Sequence, residues 1–162
     1  MIQIPDEILP GDVLLYRTPS LIGWLIRTKT WSPVNHVEIA VSPTVSVGSR
    51  EGVGVSSWTP LRSSGLYAVL RAQQPLDIAT GLVWHRTVTG QGYDYLGLFT
   101  SFFSERGRGS MTRMFCSEHS TRFLRHAGLE PFTALTDADK VSPGMFMTSP
   151  AFSLVWHAEP GP

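Results

Sequence analysis

Met114-Phe115-Cys116-Ser117-Glu118-His119-Ser120-Thr121-Arg122-Phe123-Leu124-Arg125-His126-Ala127-Gly128 is the stretch around which the rest of the chain can be arranged. Ser120, Phe123, Leu124 and Ala127 fall on one helical face. Arg122, Arg125 and His126 come late, where a helix favours cations, and Gly128 supplies a C-terminal stop. Cys116 therefore stands in the first turn of an expected helix. At that end the helix dipole and unpaired backbone N–H groups favour a thiolate and can hold an oxyanion, which is what a nucleophile needs. The other reading of a single Cys is a small buried hydrophobe.

Cys116 is the one cysteine in 162 residues, so the chain has no internal disulfide and is not a stapled scaffold. The 13 Lys+Arg balance 13 Asp+Glu at zero formal charge, which lacks the basic footprint of a protein that grips nucleic acid over a whole face. With 42% hydrophobic residues and neither repeat nor linker, residues 1–162 read as one folded domain. Cys116-x-x-His119 has no second Cys/His pair at ligand spacing, and Gly107-Arg108-Gly109 is not a phosphate loop, so neither metal nor cofactor is expected. The start Met1-Ile2-Gln3-Ile4-Pro5 is not a signal peptide, and no apolar run approaches the ~20 residues of a spanning helix. These features suit a cytoplasmic or phage-encoded, virion-associated protein without integral membrane contact.

Upstream of the helix the pattern changes to short strands. Pro10-Gly11-Asp12 is a turn into Val13–Arg17, and Ser20 can cap a short helix with Arg27 and Lys29 at its end. In His36-Val37-Glu38-Ile39-Ala40-Val41, Val37, Ile39 and Val41 alternate with His36, Glu38 and Ala40, so His36 projects away from the Val/Ile face. Strand-like pieces recur at Thr44–Val47, Gly52–Trp58, Leu66–Arg71 and Phe152–Trp156, as in a mostly antiparallel meander. Pro75 opens a helical stretch that ends near Gly90. Beyond it lie an apolar segment with Phe99, Phe102 and Phe103, and a polar, mobile loop at Ser104–Ser110 with a local cation patch at Arg106, Arg108 and Arg113. His85, His126 and His157 show no partner pattern and read as surface or hydrogen-bonded residues. Trp24, Trp31, Trp58, Trp84 and Trp156 have no period and read as packing.

A thiol at a helix start and an imidazole on a strand's polar face are the nucleophile and base of a cysteine hydrolase if the two ends meet. His119, three residues after Cys116, is a competing neighbour. The ordered landmarks carry a resemblance: Gly11-Asp12 through Arg17, the helix ending near Arg27, Asn35-His36-Val37-Glu38-Ile39, Tyr93-Asp94-Tyr95, Phe115-Cys116-Ser117-Glu118 and Ser142-Pro143. Over about residues 10–145 the chain resembles the permuted papain-like amidases of the NlpC-type cysteine peptidase superfamily, in which the His precedes the Cys. The resemblance implies an α+β, papain-like fold with a central antiparallel or barrel-like sheet and the Cys-bearing helix packed on it.

The resemblance further implies Cys116 as nucleophile and His36 as general base. The family's third, orienting residue lies on the next strand. In that register Ser49 stands at or near the place, with Glu51 two positions on, and Glu38 competes because i and i+2 share a strand face. Tyr93 and Asp94 are candidate cleft residues, and Asp12 reads as a turn anchor. The implied reaction is acyl transfer from an amide, such as a peptidoglycan-type peptide, through a Cys–His acyl-enzyme. A lipid thioesterase or acyltransferase on the same fold is the alternative, and so is a non-catalytic module that retains it.

Overall fold

The computed structural model describes residues 7–94 and 114–158. Gly11, at φ +95°, turns the chain into the first strand, and buried Asp12 closes that turn by accepting from Leu9 N at 2.8 Å. Asp12 also takes both Arg71 Nε and Nη2 at 2.8 Å. The expected turn anchor is therefore an ion-paired one.

The elements follow as β1 (Val13–Tyr16), α1 (Leu21–Thr30), β2 (His36–Ser42), β3 (Val45–Arg50), β4 (Gly54–Trp58), β5 (Leu66–Ala72), α2 (Ile78–Val88), α3 (Cys116–His126) and β6 (Phe152–His157), with 3-10 turns at Ala138–Lys140 and Pro143–Thr148. Ser20 Oγ caps α1 by accepting from Gly23 N at 2.9 Å, and Asp77 caps α2 through Thr80 N. The strands form one sheet in the order β4-β3-β2-β1-β5-β6, every neighbouring pair antiparallel. The molecule is α+β, as expected. Of the two expected sheet forms the antiparallel one is found: among the described residues β4 and β6 pair on one side each, so the sheet is open.

Strand period decides what each face carries. Val13, Leu15, Val37, Ile39 and Val47 point to one side and meet Phe123, Leu124 and Ala127 of α3 in the main core. The opposite face holds a smaller cluster of Leu14, Tyr16, Ala40, Leu66 and Val69. Helix α2 reaches α3 at Gly81, where an added Cβ would stand 2.7 Å from the Phe123 ring. A side chain there would push the two helices apart. Tyr95, the apolar Phe99–Phe103 segment, the polar loop and its cation patch lie outside the described residues.

Candidate active site

His36 opens β2, and Glu38 follows it on the same face. His36 Nε2 donates to Glu38 Oε1 at 2.8 Å. Glu38, wholly buried, also accepts Ser46 Oγ at 2.6 Å, Arg50 Nε at 2.6 Å and Arg50 Nη2 at 3.0 Å. The β2–β3 register explains the convergence. Ala40 faces Ser46, so Ser46, Gly48 and Arg50 share the Glu38 side of the hairpin. Gly48 leaves room for the carboxylate: a Cβ there would crowd Glu38 Cγ at 3.1 Å. Trp58 covers the Arg50 guanidinium, whose carbon lies 4.0 Å from the ring centre.

Cys116, from α3, is near enough to the same imidazole to raise its pKa. With Nε2 taken by Glu38, Nδ1 is the ring nitrogen left for sulfur. Burial by itself would push His36 down. The neighbouring Cys116 and the Glu38 carboxylate outweigh that and raise it to about 9. Burial likewise would raise Glu38, yet its bonds to His36 and Arg50 hold it well below the usual carboxylate range. Imidazole, carboxylate and guanidinium thus form a fixed charge sequence against the thiol. The N-cap residue Phe115 offers no side-chain cap, so no side chain covers the first-turn amides from the cap position.

The remaining sequence candidates fall in different places. Ser49 is not the partner of His36: it stands on the Val47 side of β3, and its hydroxyl donates to Met114 O at 2.6 Å. Alternation along β3 turns 49 away whenever 46 and 50 face Glu38. Glu51 is exposed at the cleft rim. Tyr93 lines the cleft and packs with Ile26 and Phe115. Asp94 is buried, and its charge acts on Glu118. His85 is hydrogen-bonded, one of the two readings its sequence allowed, and its partner is His119, the expected neighbour of Cys116. Both are buried, with His85 Nδ1 and His119 Nε2 3.0 Å apart and Ser57 Oγ 3.2 Å from His85 Nε2. Burial lowers His119 to about 3 and His85 to about 4, so the pair is neutral. His126 stacks on Trp84 at 5.0 Å.

A cleft of about 470 Å³ opens over this array, lined by Asn35, His36, Arg50, Trp58, Arg62 and Tyr93 among others. Cys116 is not among the lining residues and sits at 1% exposure within the main core cluster. Two residues that the sequence did not single out, Arg50 and Arg62, furnish its cations. Their common signal was Arg within a strand–turn–strand region beside the His strand, but facing depends on register. Among the described residues no group of three or more His, Cys, Asp or Glu is placed to hold a metal ion. No helix of the described residues is long and apolar enough to cross a membrane.

No family model and no curated protein matches the sequence. The fold does have a solved neighbour, described as metalloprotein YiiX from Escherichia coli O157:H7, DUF1105. It superposes with a TM-score of 0.66 at 19% identity, covering 94% of this chain and 98% of that one. Likeness at that identity is a likeness of fold, and it extends over nearly the whole of both chains.

Proposed function

We propose that this chain is a papain-like cysteine hydrolase of the permuted NlpC type, cleaving an amide of the peptidoglycan-peptide class. The observation that carries the proposal is the single imidazole shared between Cys116 and the clamped Glu38. A structural Cys in a core needs no such partner, and a carboxylate held by Arg50 and Ser46 keeps the ring in one tautomer and orientation.

His36, raised to about 9, holds on Nδ1 the proton taken from Cys116, and the sulfur attacks the amide carbonyl carbon. The imidazolium is stabilised by Glu38, and the Cys116 backbone N–H at the start of α3 faces the developing oxyanion. Collapse breaks the C–N bond, with the proton passing from His36 to the leaving amine. Water, deprotonated by His36, then attacks the thioester, and carboxylic acid and thiol are released. Entry is from the His36 side of the cleft, because Cys116 itself is nearly covered.

The test is intact-protein mass spectrometry after incubation with peptidoglycan peptides, simple amides and acyl lipids, with Cys116→Ser as control. A thioester adduct on wild type from the peptide pool, absent in the variant, is the expected result. An adduct from acyl lipids alone would move the assignment to a thioesterase or acyltransferase. No adduct from any pool, together with ordinary iodoacetamide reactivity of Cys116, would leave a non-catalytic module.

A further inference from the structure

Two cations line the cleft beside His36, and they are not equivalent. Arg50 is committed to Glu38 through two hydrogen bonds. Arg62, on the connection between β4 and β5, has no such acceptor. Its Nε and Nη2 are buried without a hydrogen-bond partner, and so is the hydroxyl of Tyr16. The two side chains are neighbours: the Arg62 guanidinium carbon lies 4.6 Å from the centre of the Tyr16 ring. Tyr16 in turn neighbours the His36 ring at 5.7 Å.

Buried donors left unpaired cost free energy, and native structures leave few of them. The edge formed by Nε and Nη2 of a guanidinium is a planar fork that matches two oxygens of one carboxylate or phosphate. Tyr16 is wholly buried, and burial first, then Glu38, raises its hydroxyl, which stays protonated and can donate a third bond. The nearby carboxylates do not fill the role. Glu38 is saturated by His36, Ser46 and Arg50, Glu51 is exposed at the rim, and Glu7, on a second hollow that Arg62 also borders, is exposed and makes no hydrogen bond to Arg62 Nε or Nη2. Arg62 borders both the His36 cleft and that second hollow of about 320 Å³, whose other walls include Leu14, Leu61 and Leu66.

We infer that Arg62 and Tyr16 form an oxyanion subsite, which takes a carboxylate or phosphate carried by the substrate next to the acyl group that Cys116 attacks. The inference rests on the hydrolase reading for its second half only. An anion can be bound there whether or not Cys116 reacts.

The experiment has two arms. In the first, arginine-labelled Cys116→Ser protein is titrated with sodium acetate and with inorganic phosphate while the Nε–H resonances are recorded, Arg62→Gln identifying the Arg62 signal. A saturable shift of Arg62 with Arg50 unmoved is expected, and Tyr16→Phe should weaken it about 5–10-fold for one lost hydrogen bond. In the second arm, wild type is offered N-acylglycine against N-acylglycinamide, and the phosphate monoester of N-acylethanolamine against N-acylethanolamine. The anionic member of one pair should be favoured about 10–100-fold in kcat/KM, as charge-assisted bonds warrant, and the preference should vanish in Arg62→Gln. The favoured pair names the anion. An unmoved Arg62 resonance with both anions overturns the subsite, as do equal rates within both pairs. If none of the four compounds is hydrolysed, the titration alone decides: a saturable shift supports the subsite although the hydrolase reading has failed for these substrates.

Discussion

Glu38→Gln keeps the shape of a side chain at the centre of the charge sequence and removes its charge. Glu38 is fully buried, and the Arg50 side chain is 19% exposed, so the variant leaves a guanidinium largely out of water without its counter-ion. Removing one partner of a buried pair costs about 3–5 kcal/mol. The partial exposure of Arg50 and the Trp58 face at 4.0 Å place the expected loss at the low end. About 3 kcal/mol is still a large part of the roughly 5–15 kcal/mol that holds a domain together. Urea unfolding at pH 7 measures it in Glu38→Gln, in Arg50→Met and in the double variant. Because the double variant strands no charge, it should be more stable than the sum of the singles by at least about 1 kcal/mol. The same substitution deprives His36 of its acceptor, and hydrolysis should fall toward the 10⁴-fold typical of a lost orienting carboxylate. Ser49→Ala is the control: it loses one buried hydrogen bond to Met114 O, about 1 kcal/mol of stability, and should leave the rate near wild type. Additive stability losses, or a Ser49→Ala protein slower than Glu38→Gln, would refute the assignment of Glu38 as the orienting residue.

Two further outcomes concern the scaffold. Burial raises the Glu118 carboxyl from 4.5 to about 7, with Arg122 opposing and Asp139 and Asp94 adding to the rise. Because the folded state holds this proton more tightly, the stabilisation is complete below pH 4.5 and is lost as pH rises through 7. Urea midpoints of Glu118→Gln measured from pH 5 to 8 should therefore decline less steeply than those of wild type, and parallel curves would contradict the burial argument. Trp31 ends α1 in the left-handed region at φ 51° with its side chain 95% exposed. That conformation costs an ordinary residue about 1–2 kcal/mol, and the extra freedom of glycine in the unfolded chain returns about 0.5–1, so Trp31→Gly should gain roughly 0.5–1 kcal/mol by the same assay.

The parts of the site that lie along one strand were readable in advance, and those that depend on pairing were not. Alternation in His36–Val41 put His36 and Glu38 on one face without any knowledge of neighbours, and the structure keeps them there. Choosing between Glu38 and Ser49 required the β2–β3 register, which shifts between Ala40 and Ser42 where the ladder is irregular. A shift of one residue exchanges the faces of a whole strand, so Ser49 and Arg50 could not be told apart by sequence spacing. The helix start at Cys116 was legible from its flanking pattern. The His85–His119 contact was not, since it arises from the packing of α2 on α3 around Gly81 and Phe123, which no local period encodes. Left-handed Trp31 was missed for a related reason: glycine or asparagine usually marks that position.

On the proposed mechanism, the β2–β3 hairpin bears on how activity is acquired and lost. His36, its acceptor Glu38 and the Arg50 clamp all lie within residues 36–50 and close on one another through an antiparallel turn, whereas Cys116, the proposed nucleophile, arrives from α3. Short-range contacts of this kind close at little chain-entropy cost and early in folding, while docking of α3 is a long-range event. The protein can therefore hold a set imidazole before it holds a reactive thiol. Local detachment of α3 would switch off chemistry while the hairpin's ion pairs stay intact, so inactivation by mild denaturant should precede loss of the sheet.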